Sequence, residues 1–199
     1  MGDQDSQLTT HPSLLLRVRN CDDREAWEAF VAIYQPIVYS YCRRKSLQAS
    51  DAADVAQEVL TRLARAMKSF EYQPELGGFR KWLGTVVLNE IARFVGKQQK
   101  DRQSISNEQA EFNSITRGED WDDHFHSSLL QIALSQIESE FEPETWAAFG
   151  RVWLESKSAL QAAHELSITV EKIYVAKSRV LKRLRLEVLR LSEDIPFVE

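Results

Sequence analysis

The sequence is poor in the residues that make tight turns and crosslinks. It holds only seven glycines, five prolines and two cysteines among 199 residues, too few turn formers for an all-β fold. Cys21 and Cys42 cannot make a disulfide framework, and no secretory leader pattern opens the chain. No stretch approaches the roughly 18 consecutive apolar residues of a membrane span. We therefore expect a soluble cytoplasmic protein with no membrane insertion.

The common patterns of catalytic sites are missing as well. The chain contains no glycine-rich phosphate loop, no His-Glu-x-x-His pattern and no nucleophile elbow. Asp122, Asp123, His124 and His126 lie close together, but adjacent residues in a flexible acidic segment more often bind nothing. We expect no catalytic residue, no metal site, no cofactor and no small-molecule substrate.

The formal charge of −5 argues at first against nucleic acid as a partner, yet the charge is unevenly spread. Residues 79–102 carry six Lys/Arg against two Asp/Glu, and residues 159–190 carry seven against three. Residues 103–158, between them, carry three against eleven. Two basic stretches thus flank an acidic one. The basic stretches indicate a nucleic-acid partner only if their basic residues share a face, since charge runs are often solvated surface.

The apolar spacing predicts an all-α fold of two small helical domains joined by a flexible acidic linker. One helix begins near Asp22, and Pro36 inside it should kink or divide it. Other helices are predicted over about 50–68, 79–97, 127–141, 143–155 and 158–191, with a loop over 70–78. We divide the chain into a disordered start (1–12), an N-terminal domain (13–100), a linker (101–126), a C-terminal domain (127–191) and a short tail (192–199).

Residues 158–191 have the layout of a helix-turn-helix. A short alanine-rich helix (158–165) precedes a turn at 166–168, and Thr169 is a good N-cap for the next helix. That helix directs inward Val170, Ile173, Val180, Leu181 and Leu184. Its outer face offers cations for phosphates and a few side chains for base edges, namely Thr169, Glu171, Lys172, Val175, Ser178, Arg179, Lys182 and Arg183. An ordinary amphipathic helix with a basic outer face would show the same pattern.

Two segments of the N-terminal domain carry polar faces. The first is a face of the helix predicted over about 50–68, opposite its apolar side of Val55, Val59 and Leu63. This polar face holds Asp54, Gln57, Glu58, Thr61 and Arg65. The other is a stripe of Trp82, Thr85, Asn89 and Arg93, with Arg80, Lys81 and Lys97 nearby. Aromatic and amide groups beside cations suit single-stranded nucleic acid, because bases stack and phosphates pair. The alternatives are a solvated helix for the first face and a core position for the rings of the second.

Together these segments resemble the small two-domain sigma factors of bacterial RNA polymerase, the extracytoplasmic-function group of the sigma-70 family. The run Asp-Val-Ala-Gln-Glu-Val at 54–59 is similar to the polymerase-docking motif of the family's second conserved region. The segment that begins with residues 79–83 and ends at Asn89 is similar to the promoter-melting segment of that region. Residues 174–184 are similar to the recognition helix of the fourth region. The resemblance covers about residues 14–190.

The resemblance implies a sigma factor that binds core RNA polymerase and directs promoter-specific initiation. Asp54, Gln57, Glu58, Thr61 and Arg65 would then contact the polymerase. The 80–97 stripe would melt the −10 element, and the outer face of the last helix would read the −35 element of promoter DNA. An anti-sigma protein is a further partner that the family implies.

Two other classes of protein fit the same patterns. A free-standing helix-turn-helix regulator should bind duplex promoter DNA without polymerase, whereas such a sigma factor should bind it poorly alone. A sigma-mimicking interaction protein should bind the antagonist but lack the promoter contacts.

Overall fold

The computed structural model describes residues 14–20, 22–69, 78–102, 118 and 120–191. It divides into two compact units, 1–118 and 119–199. The described residues form helices and no strand, which confirms the all-α class. The predictions of a disordered start, a loop over 70–77 and a short tail fall outside the described residues, as does most of the linker.

In the part of the chain that the structure describes, the first unit contains four helices. They are α1 (Leu14–Arg17), α2 (Arg24–Arg44), α3 (Ala49–Ala66), which runs into the 3-10 turn Met67–Ser69, and α4 (Gly78–Arg102). Asp23 caps α2 by accepting the Ala26 N–H at 3.0 Å, and it also pairs with Arg17 at 2.9 Å. The hydrogen bonds from Arg17 and Ala26 lower the pKa of Asp23. The predicted start of this helix is thus confirmed, and Asp23, not Asp22, is its cap.

Pro36 does not divide α2, so that part of the prediction is wrong. The helix runs unbroken from Arg24 to Arg44 with the proline exposed. An interior proline removes one backbone hydrogen bond and costs about 3 kcal/mol. Burial of Ile33, Ile37 and Tyr41 on either side of Pro36 holds both halves of the helix against the core.

The core of the first unit lies between α2, α3 and α4. Val55, Val59, Leu63 and Met67 are buried as their spacing predicts. From α4 come Phe79, Leu83, Val87 and Ile91. Phe79 is fully buried, with its ring centroid 5.8 Å from that of Phe30 and 5.1 Å from that of Tyr34. This aromatic cluster seats the start of α4 on α2.

Among residues 120–191, the second unit also has four helices. They are α5 (Trp121–Ile137) with the 3-10 turn Glu138–Glu140, α6 (Pro143–Phe149) with the π-helical turn Gly150–Leu154, α7 (Ala159–Leu166) and α8 (Val170–Leu191). No helix among the described residues is long and apolar enough to cross a membrane.

The helices on either side of the predicted linker extend into its range. The helix α4 continues to Arg102, and α5 begins at Trp121, five residues before the predicted end of the linker. Trp121, Phe125 and Leu129 recur every four residues and are buried. Acidic residues in the first turn of α5 also favour the helix dipole. The polar residues around them in 120–128 made the helical spacing of these three apolar residues hard to recognise.

The connection between α7 and α8 follows the predicted local chemistry. Ser158 and Gln161 form a capping box at the start of α7, with the Gln161 N–H donating to Ser158 Oγ at 3.2 Å. Ser167 ends α7 in the left-handed conformation, with φ of 55°. Thr169 Oγ1 accepts the Lys172 N–H at 3.4 Å, in the capping position that the sequence predicts. Buried Ala162 lets α7 pack closely on α8.

Candidate functional site

The outer face of α3 carries the first set of predicted site residues. Asp54, Gln57, Glu58 and Arg65 are exposed, and Thr61 is half-buried. The Thr61 hydroxyl donates to the Gln57 carbonyl oxygen at 2.9 Å, so it is tied to its own helix. We call these five residues the α3 face. It is acidic toward the start of the helix and basic toward its end.

An open depression borders the basic end of the α3 face. It has a volume of about 430 Å³ and is lined by Trp27, Thr61, Ala64, Arg65 and Lys68. Trp27 comes from α2, so this part of the surface is shared between two helices. Neither Trp27 nor Lys68 was among the residues predicted for this surface.

The predicted stripe on α4 lies on the surface of the first unit. Lys81, Thr85, Asn89, Arg93 and Lys97 are exposed, and Arg80 and Trp82 are half-buried. The Trp82 ring packs 5.6 Å from that of buried Phe79, so of the two rings only Phe79 is a core residue. We call this set, Arg80 to Lys97, the α4 stripe.

A buried carboxylate connects the two polar surfaces of the first unit. Glu90, on α4, is only 7% exposed and forms an ion pair with Arg62 of α3. Arg93 Nη1 lies 3.3 Å from Glu90 Oε1. Burial raises the pKa of Glu90, Arg62 opposes that shift, and the negative charge of Glu58 adds to it. Sequence analysis missed Glu90, although its spacing from Phe79 and Leu83 places it on the core side of α4.

The third set of predicted residues lies along α8 and its cap. Thr169, Glu171, Lys172, Val175, Ser178, Arg179 and Lys182 are exposed, and Arg183 is half-buried. Ile173, Val180 and Leu184 are buried and hold the helix on the unit, while Val170 and Leu181 are half-buried. We call the outer set the α8 face. It presents both cations and short polar or apolar side chains to solvent.

A groove of about 310 Å³ lies between α6 and the first two turns of α8. Lys172, Val175 and Arg179 line it from the α8 side, and Glu144 and Thr145 from the α6 side. Lys172 Nζ is 3.5 Å from Glu144 Oε1. An acidic residue of another element therefore stands beside the basic α8 face.

A charged network surrounds Arg183. Its Nη2 and Nε lie 2.6 and 2.7 Å from the two carboxylate oxygens of Glu140, and its Nη1 donates to Glu187 at 2.8 Å. Glu187 is 3% exposed and also accepts from Arg190. Burial alone would raise the pKa of Glu187, but the hydrogen bonds from Arg190 and Arg183 outweigh it and the pKa is lowered. Neither Glu140 nor Glu187 was identified from the sequence.

Two side chains with reactive groups, Cys42 and His124, are enclosed. Cys42 is fully buried, and desolvation raises the pKa of its thiol to about 12, so it is held as the unreactive thiol. His124 is also buried and lies 3.3 Å from Ser128 Oγ. Within the described ranges no three His, Cys, Asp or Glu residues are grouped so that they could hold a metal ion.

Comparison with known families bears on the first unit. Residues 30–101 match the family model for Sigma-70 region 2. The matched range contains the α3 face and the α4 stripe. The match covers about a third of the chain and supports a relationship to the sigma-70 family. No curated protein matched the chain.

Proposed function

We propose that this chain is a cytoplasmic sigma factor of the extracytoplasmic-function group, which binds core RNA polymerase and directs initiation at promoters with −35 and −10 elements. The observation that carries the proposal is the Sigma-70 region 2 match over residues 30–101. Within that range, the two faces that such a factor needs are both on the surface.

The α3 face is the proposed contact with core polymerase. Asp54 and Glu58 are exposed on a helix whose other side is locked into the core by Val55, Val59 and Leu63. A rigid helix presents its side chains with little loss of conformational entropy, which favours binding. Arg65 and the Trp27 depression extend this surface toward α2.

The α4 stripe is the proposed contact with the separated −10 strand. Half-buried Trp82 gives a ring on which a base can stack, and Asn89 offers an amide for hydrogen bonds to base edges. Exposed Lys81, Arg93 and Lys97 supply positive charge for the backbone. Stacking is worth about 1–3 kcal/mol per base, enough to offset much of the cost of unstacking it from the duplex.

The second unit is the proposed −35 reader. Helices α7 and α8, joined at 167–169, have the order and length of a helix-turn-helix, with α8 as the recognition helix. Exposed Lys172, Arg179 and Lys182 would meet phosphates or base edges. The acidic segment between the units would act as a tether inside the polymerase, and an anti-sigma protein is a further proposed partner.

Transcription in vitro with purified core polymerase tests this proposal. The full-length chain, added to core enzyme and a pool of genomic fragments, should produce transcripts that share −35 and −10 sequences upstream of their starts. Core enzyme alone is the control. Failure to direct initiation from any fragment in the pool would falsify the proposal. Tight, sequence-specific binding of promoter duplex without polymerase would favour a free-standing regulator.

Two variants separate the proposed faces. Glu58→Ala should weaken core binding by about 1 kcal/mol, a typical value for a contributing interface side chain, and leave promoter preference unchanged. Arg179→Ala should cost about 1–3 kcal/mol in recognition of the −35 duplex and leave core binding unchanged. Core affinity is measured by fluorescence titration, and promoter preference by competition between promoters.

The matched control for Glu58→Ala is Glu28→Ala, an exposed carboxylate on α2 outside both proposed faces. It should change neither quantity. Unchanged core affinity in Glu58→Ala would show that the docking assignment is wrong.

A further inference from the structure

One acidic residue of the segment that joins α5 to α6 reaches a cation of the α8 face. Glu140 meets Arg183 in a two-pronged contact at 2.6 and 2.7 Å, and the two residues are 43 positions apart in the chain. The third contact of Arg183 is with Glu187, at 2.8 Å. Arg183 is therefore the member of the α8 face whose guanidinium is held by two carboxylates.

The Glu140 carboxylate binds the Arg183 guanidinium in the way that a DNA phosphate would bind it. A guanidinium binds carboxylates and phosphates in the same way, through two parallel N–H bonds. Glu140 takes the edge of Arg183 formed by Nε and Nη2. A DNA phosphate that approached Arg183 along this edge would have to displace the Glu140 carboxylate or lie beside it. Both outcomes weaken the contact between DNA and the protein.

We propose that Glu140 is a positioning residue that withholds Arg183 from the phosphate backbone of duplex DNA. This inference rests on the proposed role of the α8 face in DNA binding. Its consequence is that α8 binds any duplex through fewer cations than its sequence contains. Arg179 and Lys182 are left for DNA, while Lys172 has a looser pairing with Glu144 at 3.5 Å. A larger share of the affinity therefore comes from base contacts. Non-specific binding, which depends on phosphate contacts, is lowered.

Salt dependence of binding to a random-sequence duplex measures this directly. Full-length protein is titrated against a labelled 20-base-pair duplex over a range of salt concentrations, and the slope of log affinity against log salt counts the phosphates neutralised. Glu140→Gln should bind more tightly and make the slope steeper by about 0.9, the value of one extra phosphate contact. A loss of stability alone would not steepen the slope.

Glu138→Gln is the matched control. Glu138 lies in the same 3-10 turn, is also exposed, and forms no ion pair with any residue that the structure describes. The two variants change the net charge equally, so a slope difference between them belongs to Arg183. In the double variant Glu140→Gln/Arg183→Ala the extra slope should disappear.

Three outcomes are decisive. If Glu140→Gln equals Glu138→Gln while Arg179→Ala weakens binding, the withholding role is wrong and the DNA-binding face stands. Weaker binding by Glu140→Gln would also overturn it, because Glu140 would then orient Arg183 toward DNA. If Arg179→Ala, too, leaves binding unchanged, the proposed function of the α8 face itself fails.

Discussion

Two buried glutamates, one in each unit, have similar local sequences but pKa shifts in opposite directions. Glu90 and Glu187 both lie on the core side of a long helix, at 7% and 3% exposure. Each has an arginine three residues later, Arg93 and Arg190. Even so, the pKa of Glu90 is raised and that of Glu187 is lowered.

The difference comes from the groups that face each carboxylate. Glu187 receives hydrogen bonds from Arg183 and Arg190, both on its own helix and both at 2.8 Å. Glu90 has one close partner, Arg62, and a looser one in Arg93 at 3.3 Å, and it also feels the negative charge of Glu58. Desolvation therefore prevails at Glu90, whereas the arginine hydrogen bonds prevail at Glu187.

The same contrast bears on the proposed DNA contacts. Arg93 keeps 60% of its side chain exposed, while Arg183 keeps 32% and is held by two carboxylates. To turn toward a separated strand, Arg93 has to give up only the 3.3 Å contact with Glu90. To reach DNA, Arg183 must first leave the closer contact with Glu140. Protein carboxylates and DNA phosphates thus compete for the same cations. A cation identified from the sequence can contact DNA only when it leaves its carboxylate partners.

The largest expected effect is in the second unit. Glu187→Gln should destabilise that unit by about 2 kcal/mol, because it removes the charge that accepts hydrogen bonds from Arg183 and Arg190. Hydrogen exchange at the buried amides of α8 measures this without interference from the first unit. Glu142→Gln, an exposed carboxylate near α6, is the control. Equal exchange rates in the two variants would mean that the Glu187 network adds nothing to stability.

A smaller effect is expected from the same substitution in the first unit. Glu90→Gln should change stability by less than about 0.5 kcal/mol at neutral pH, because burial already disfavours the ionised form that it removes. The amide keeps the size of the side chain and can still accept from Arg62. Hydrogen exchange at the buried amides of α4 is the measurement. A loss as large as that of Glu187→Gln would show that the two carboxylates are equivalent.

Patterns local in sequence predicted much of this fold. The inward set Val55, Val59 and Leu63 followed from helical spacing. The cap at Thr169 followed from a hydroxyl placed just before an apolar period. The polar faces of α3, α4 and α8 are exposed as expected, apart from the half-buried Arg80, Trp82, Thr61 and Arg183, because the opposite sides of those helices are buried.

Contacts between distant residues could not be predicted. Nothing in the sequence pairs Glu140 with Arg183, since that contact exists only after α5 and α8 pack together. The arginine partner of Glu90 on α3 is hidden for the same reason. The start of α5 was missed because Trp121 and Phe125, the first two residues of its apolar stripe, stand among polar residues. The continuity of α2 through Pro36 depends on burial to either side.

The smallest expected effect is a difference in pH dependence between the two glutamates. Glu187 has a lowered pKa in the folded state, so its stabilisation is complete above the ordinary value of 4.5 and is lost as the pH falls through the lowered value. Glu90 has a raised pKa, so its ionisation costs stability as the pH rises above 4.5.

The advantage of the wild type over Glu187→Gln should therefore stay constant from pH 7 to 4.5 and shrink below that. Relative to Glu90→Gln, the wild type should instead gain stability as the pH falls from 7 toward 4.5. Hydrogen exchange of each unit, measured against pH in wild type and variant, gives both curves. Parallel curves for the two substitutions would mean that the arginines around Glu187 do not hold its charge more firmly than those around Glu90.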